Sequence, residues 1–427
     1  MTARTVLATR QSVRELAERL TTLVREGTMS DYIGRRVAEW RGISGMSQQD
    51  LATAVGVSHA YISMIERGKR PVAKRDLLIA LASALRVSAT VLTGQPTPPR
   101  SSDDLAVYAA VPALRGALDD DPDPDQLPDM ADVAARADQA AAARMACDYP
   151  TLAQILPGLV ADARQLANAN AGADRGLALL VRATVTAALA VKPFGYVDLS
   201  ARYAERAQLA AARLGHPVEI AAAEFAGAQV ALASGTAGGR RRSLTTAAAA
   251  AEHLGDDGGD DVLTWYGMLH LHAALSAASL GAGDVDGHLA EAAGAAQRAA
   301  SDPWRMEFSP ANVGIWRVGV AVENGEPDRA PLHARHVDRS RIRTANRRCR
   351  LHIDTGRGWY AAGDQTRAVR SFLEADAASP AELRSRPSVH ELVGQMVRDS
   401  RRRGSTELRD LATRLGIDPL DPDRDAT

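Results

Sequence analysis

Apolar residues recur along this chain at spacings of three and four, the period of an amphipathic helix. Val13, Leu16, Leu20 and Leu23 make one stripe over Gln11–Glu26, closed by Gly27. That helix either packs on its own chain or forms a dimer seam. A compact unit follows over residues 30–93. Its predicted helices include Asp31–Arg41 with Ile33, Val37 and Trp40 inward, Lys74–Leu85 with Leu77, Leu81 and Ala84 inward, and a short Ser88–Leu92. The run GQPTPPRSS from Gly94 to Ser102 cannot continue a helix and reads as a linker. A helix over Asp103–Leu118, kinked at Pro112, and an acidic loop over Asp119–Pro128 complete the connection.

From Met130 onward, Ala- and Leu-rich helices alternate with short turns at Lys192, Ser234, Gly281, Asn324 and Gly363, spacings of about forty residues. One repeat reads in full, with helix A over Arg348–Ala361, a turn at Ala362-Gly363-Asp364 and helix B over Gln365–Ala375; Ala361, Ala368 and Phe372 face inward. Such a pair cannot bury its face alone, so stacked pairs should curve into an array whose concave side is lined by the A helices. The expected organisation is all-α: an N-terminal helix (1–29), a five-helix unit (30–93), a linker with one helix (94–131), a helical-repeat domain for sensing and dimerisation (132–416) and a disordered tail (417–427).

Composition sharpens this picture. Aromatic residues make up 4% of the chain and alanine dominates its second half, which suits close-packed helices and not sheets. Residues 1–100 carry 15 Lys and Arg against 8 Asp and Glu, while the rest carries 36 against 44. A basic small module on an acidic large one suits a polyanion-binding head. Cys147 and Cys349 fit no disulfide framework or zinc spacing. No secretory core and no long uncharged apolar run is evident, so the expected place is the cytoplasm, with no membrane contact.

The segment Gln48–Arg67, QQDLATAVGVSHAYISMIER, fits a helix-turn-helix at each position where geometry is demanding. Ser47 caps the first helix with Asp50 three residues on, and Ala52 is small where the helices cross. Gly56 takes the turn position with positive φ, Val57 plugs the core and Ser58 caps the second helix. Ile62 and Ile65 face inward, leaving His59, Ala60, Ser63 and Met64 outward, toward base edges in a major groove. Arg67, Lys69 and Arg70 flank the helix end, where phosphates would lie, and Gln48 sits at a helix N-terminus.

Residues 30–94 resemble the XRE family of Cro/repressor-type regulators in the SQxxLA, GVS and IERGKRP blocks. The resemblance implies double-stranded DNA as partner. It makes Gln48, Ser58, Arg67, Lys69 and Arg70 backbone contacts, and His59, Ala60, Tyr61 and Ser63 base or methyl contacts. One unit reads few base pairs, so a homodimer on an inverted repeat is expected. Residues 130–415 resemble the C-terminal region of actinobacterial XRE regulators with TPR-like repeats, at FSPANV from Phe308, LHID from Leu351, WYAAGD from Trp359 and PAELR from Pro380. The architecture is also similar to peptide-sensing regulators that fuse a helix-turn-helix to a TPR array.

By that likeness a signal peptide or small metabolite would lie in the concave face, with Asn312 binding peptide backbone through its carboxamide. Trp316, Arg317, Trp265, Tyr266, His270, Arg350 and His352 are the further candidates to line the groove. The plainer alternative makes Trp265, Tyr266 and Trp316 repeat core, Asn312 a helix cap and the arginine-rich Arg329–Arg350 a solvated face. The repeats could equally serve a partner protein and no small ligand. No phosphate loop, GxSxG or HExxH occurs, and neither His270-Leu-His272 nor His333-Ala-Arg-His336 has a third ligand, so neither an enzyme, a metal nor a cofactor is expected.

Overall fold

The computed structural model describes residues 32–97, 99–119, 127–169, 172–400 and 405–417. The helix expected at Gln11–Glu26 and the tail after 417 lie outside the described residues. Among the described residues every regular element is helical.

Five helices form the N-terminal unit: α1 (Ile33–Ile43), α2 (Gln48–Val55), α3 (His59–Glu66), α4 (Arg75–Leu85) and α5 (Ala89–Thr93). They enclose Ile33, Val37, Leu51, Ala52, Ile62, Ile65, Leu81 and Leu92. Helix α1 crosses α3 at Gly34, where a Cβ would stand 1.9 Å from the Ile65 carbonyl oxygen. The inward face of α4 is wider than its spacing predicts. Leu77 and Ala84 are half-buried, whereas Ile79, Ala82 and Leu85 are buried. Ile79 stands outside the unit's own core and faces a cavity shared with the rest of the chain.

The remaining helices are α6 (Ser102–Asp119), α7 (Met130–Ala146), α8 (Tyr149–Ala167), α9 (Ala173–Val191), α10 (Val197–Leu214), α11 (Pro217–Ala233), α12 (Ala237–Leu254), α13 (Asp260–Leu280) and α14 (Val285–Arg298), then α15 (Pro310–Glu323), α16 (Ala330–Arg335), α17 (Ala345–Ala361), α18 (Gln365–Ala378), α19 (Pro380–Arg384), α20 (Pro387–Ser400) and α21 (Thr406–Leu415). The turns read from the sequence fall inside helix hairpins, between α9 and α10, α11 and α12, α13 and α14, α15 and α16, and α17 and α18. Capping explains why. Thr236, Asp284 and Asp364 each accept the backbone N–H three residues on, so the returning helix starts at a fixed place. Helix α6 runs unbroken through Pro112 and buries Val107, Val111, Leu114 and Leu118 in the main core.

Helix α9 with the turn after it, Ala173–Phe194, has the length and apolar composition of a membrane-crossing segment. Here it is a core helix, packed between α8 and α10 with 67% of that window buried. The array also closes on itself. Helix α7 meets α17, and the Tyr149 hydroxyl at the start of α8 donates to Glu382 of α19 at 2.5 Å. Helices α7, α9, α11, α13, α15 and α17 therefore look inward on a common space.

His272 of α13 is wholly buried beside Phe225, its Nε2 2.9 Å from the Ser243 hydroxyl. Burial, with the Lys192 ammonium as a lesser cause, holds its pKa down to about 3. The unfolded chain then binds the proton that the folded chain refuses, so stability falls as pH drops below 6.5. Between pH 6.5 and 5 the loss from this residue should be about 2 kcal/mol. Denaturant midpoints across that range should fall for the native protein and fall less steeply in His272→Asn, where His270 and His390, whose pKa burial also lowers, still contribute; an equal slope in the variant would show that His272 does not titrate this way.

Candidate nucleic-acid interface and the cavity behind it

Helices α2 and α3 are set by local chemistry. Ser47 Oγ accepts the Asp50 N–H at 3.1 Å while Asp50 Oδ2 accepts the Ser47 N–H at 2.9 Å, a complete capping box. Gly56 ends α2 at φ 78°, a conformation that costs a side chain about 1 kcal/mol or more. Ser58 Oγ then accepts from the Tyr61 N–H at 3.2 Å and starts α3. His59 and Ala60 are exposed at the start of α3, with Tyr61 and Ser63 half-exposed behind them. Arg67, Lys69 and Arg70 are exposed past its end, and the Arg70 guanidinium lies over the Tyr61 ring at 5.5 Å. A single outward face thus carries an aromatic ring, an imidazole and three cations.

Gln48 does not reach outward with its side chain. Its Nε2 donates to Glu66 Oε2 at 2.6 Å, and Arg41 grips the same carboxylate through two nitrogens at 2.6 and 3.1 Å. Glu66 thus ties α1, α2 and α3 together.

Residues 33–93 match the family model of a helix-turn-helix domain. Comparison with curated proteins and with solved structures gives no match. A helix-turn-helix head implies DNA binding, and the exposed face of α3 is the one that its geometry presents to a groove.

The back of the same head is clamped to the array. Glu391 of α20 accepts the Ile33 N–H at 3.3 Å and the Val72 N–H at 3.2 Å. Arg398 donates to the Gly68 carbonyl at 3.1 Å and lies 4.9 Å over the Tyr32 ring. Arg357 donates to the Ala73 carbonyl at 3.3 Å. The described residues from Gly94 to Ser101 are non-helical, as Pro96 and Pro99 require, but they are no free tether. Gln95 donates to the Pro193 carbonyl at 3.1 Å, Tyr108 to the Thr97 carbonyl, and Asp104 pairs with Arg384 at 3.1 Å. These bonds oppose motion of the head relative to the array.

Beneath the head lies a cavity of about 140 Å³, with a second of about 200 Å³ sharing part of its wall. Of the eight array residues picked out from the sequence, Trp316 and Arg350 line the first cavity. Asn312 is buried just behind, its Oδ1 3.4 Å from Arg347 and its Nδ2 facing Met268; the cap of α15 is Ser309. Trp265 is fully buried between Phe225 and Trp304. Tyr266 bonds Glu291 and His270 faces His288 at 2.9 Å, both against α14. His352 pairs with Glu374, and Arg317 is exposed. Tyr266 and His270 touch, their ring centroids 4.5 Å apart, but the five do not gather in one groove.

Sequence reasoning missed Arg75, Arg144, Tyr149, Lys192, Arg347, Glu382 and Arg386, which complete the polar wall. The arginine-rich stretch divides: Arg329, Arg335, Arg339, Arg341, Arg343 and Arg348 are exposed, whereas Arg347 and Arg350 face the cavity. A usable signal did exist, in single cations set within apolar helix faces, such as Arg144 among alanines and Lys192 after the apolar run of α9.

Glu66→Ala should leave Arg41 and Gln48 without their acceptor and destabilise the head by about 1–3 kcal/mol. Hydrogen exchange of the amides in α2 and α3 measures this; unchanged protection would show that the three-way bond contributes little.

Proposed function

We propose that the chain is a sequence-specific DNA-binding transcription regulator, working in the cytoplasm as a homodimer on an inverted repeat. In this reading the repeat array holds each head in a fixed pose and alters that pose when a small signal occupies its interior. The observation that carries the proposal is the division of labour on one head. The face of α3 with His59, Ala60, Tyr61 and Ser63 is open, while Ile33, Gly68, Val72 and Ala73 on other sides are held by α17 and α20. A head clamped in this way transmits the geometry of its array to the spacing of two recognition helices, the quantity that a two-half-site operator tests. His59, Ala60, Tyr61 and Ser63 read bases or thymine methyl groups. Ser58, Arg67, Lys69, Arg70 and the backbone amide of Gln48 hold phosphates.

Ala60 and Ser63 are small, so direct reading of base edges is modest and the phosphate contacts dominate affinity. Binding to DNA from the chain's own upstream region, measured at two salt concentrations, tests this. Arg67→Ala/Arg70→Ala should weaken binding to every fragment and reduce the salt slope by about two. His59→Ala/Ser63→Ala should instead cost about 1–3 kcal/mol of preference for the specific fragment. A wild-type protein without preference for any fragment would refute sequence-specific regulation.

A further inference from the structure

The interior cavity is walled by six cations, Arg75, Arg144, Lys192, Arg347, Arg350 and Arg386, against two carboxylates, Asp354 and Glu382. Both carboxylates have cationic neighbours, although Asp354 Oδ2 approaches Arg350 without making a hydrogen bond. Asp354 meets Arg350 at 2.6 Å and Arg357 at 3.1 Å, and Glu382 meets Arg386 and the Tyr149 hydroxyl. Arg144, Lys192 and Arg347 have no ion-pair partner among the described residues. Arg144 is 8% exposed, its Nε bonds nothing and its Nη2 finds the Met306 sulfur at 3.1 Å. The Nε atoms of Arg347 and Arg386 and the Nε1 of Trp316 are likewise buried without partners. Lys192 reaches the neutral Gln229 side chain. Buried charge is ordinarily paired at contact distance; here Asp302 acts on Arg144 and Glu307 on Arg347 only from beyond 4 Å, and Lys192 feels other cations alone, so the space keeps an excess of positive charge that suits an anion. Removal from water is the main cause that pushes Arg347 and Arg386 down to about 10 and Lys192 well below the usual lysine range, and neighbouring cations add to it.

The rest of the wall is apolar: Phe225, Met268, Leu275, Ile315 and Trp316. A cavity of about 140 Å³ is near the size of one that takes a benzene ring, and the adjoining space of about 200 Å³ extends it to the scale of a mononucleotide. A peptide of several residues is too large for it.

We propose that this cavity binds a small organic anion of two to three negative charges with an apolar or aromatic part, an organic phosphate or a polycarboxylate, and that Arg75 conveys its presence to the head. Arg75 stands on α4 of the head yet lines both cavities, 3.9 Å from Glu323 and facing Arg350 and Arg357 across the junction. An anion among these groups offsets the repulsion that opposes docking, so it favours the clamped head. This deepens the signal-sensing reading of the array and rests on it.

The test uses the full chain and calorimetric titration at constant ionic strength with pyrophosphate, citrate, phenyl phosphate and adenosine monophosphate, with adenosine as the neutral control. At least one anion should bind in the micromolar to low-millimolar range and adenosine should not. Arg144→Gln and Arg347→Gln should each weaken binding by about tenfold or more. Because these residues are unmatched charges, each variant without ligand should melt no lower than the native chain. Bound anion should raise hydrogen-exchange protection of the Ile33 and Val72 amides, which bond Glu391, and Arg75→Gln should abolish that rise. No binding of any anion at about 10 mM, or ligand-free Arg144→Gln and Arg347→Gln chains that melt well below native, overturns the site. Saturable binding with no change in amide protection overturns the Arg75 link. The two readings fail separately. Anion binding without specific DNA binding would spare the site and remove the regulator, and specific DNA binding without anion binding would do the reverse.

Discussion

The junction between head and array depends on a buried chain of alternating charge. Arg75 of the head faces Glu323, Glu323 bonds Arg357 at 2.9 Å, Arg357 bonds Asp354 at 3.1 Å, and Asp354 approaches Arg350 at 2.6 Å. Glu323, Asp354 and Arg357 are almost wholly removed from water. Groups so placed are costly to separate, because any break leaves a desolvated charge without a partner. The chain of pairs therefore acts as a register. It favours the seating seen here, and it passes directly along the cavity wall.

Closure of the array makes that register meaningful. An open stack of helix pairs flexes along its length, since each pair touches only its neighbours. Here α7 meets α17 and Tyr149 meets Glu382, so the interior has a fixed perimeter. The head is seated on this perimeter by α4, whose Ile79 looks toward the array while Leu81 and Leu85 serve the head's own core and Leu78 borders both.

What the sequence made legible follows from how far apart the interacting residues lie. Ser47, Gly56 and Ser58 act within three residues, so the helix-turn-helix was readable position by position. The hairpin turns at Gly281 and Gly363 were readable for the same reason. The all-helical class, too, was evident from composition. The Glu66 bond to Gln48 spans 18 residues and the Tyr149 bond to Glu382 spans 233, and no periodicity reports such distances. The extra apolar residues of RDLLIALASAL were visible, but an amphipathic stripe gives no hint that its second face meets another body. The cationic wall was obscured because its members come from α4, α7, the turn after α9, α17 and the connection before α20. Trp316 and Arg350 were found, whereas Tyr266, His270 and His352 sit on helices that point them elsewhere.

The bond between Ile33 and Glu391 joins residues 358 apart in the chain, and this has a consequence during synthesis. The head is translated before α20, which clamps it. At about 5–20 residues per second, roughly 20–70 s separate the two. Throughout that interval the nascent head lacks the acceptor that Glu391 later gives its Ile33 and Val72 amides, so those two groups must first be satisfied by water.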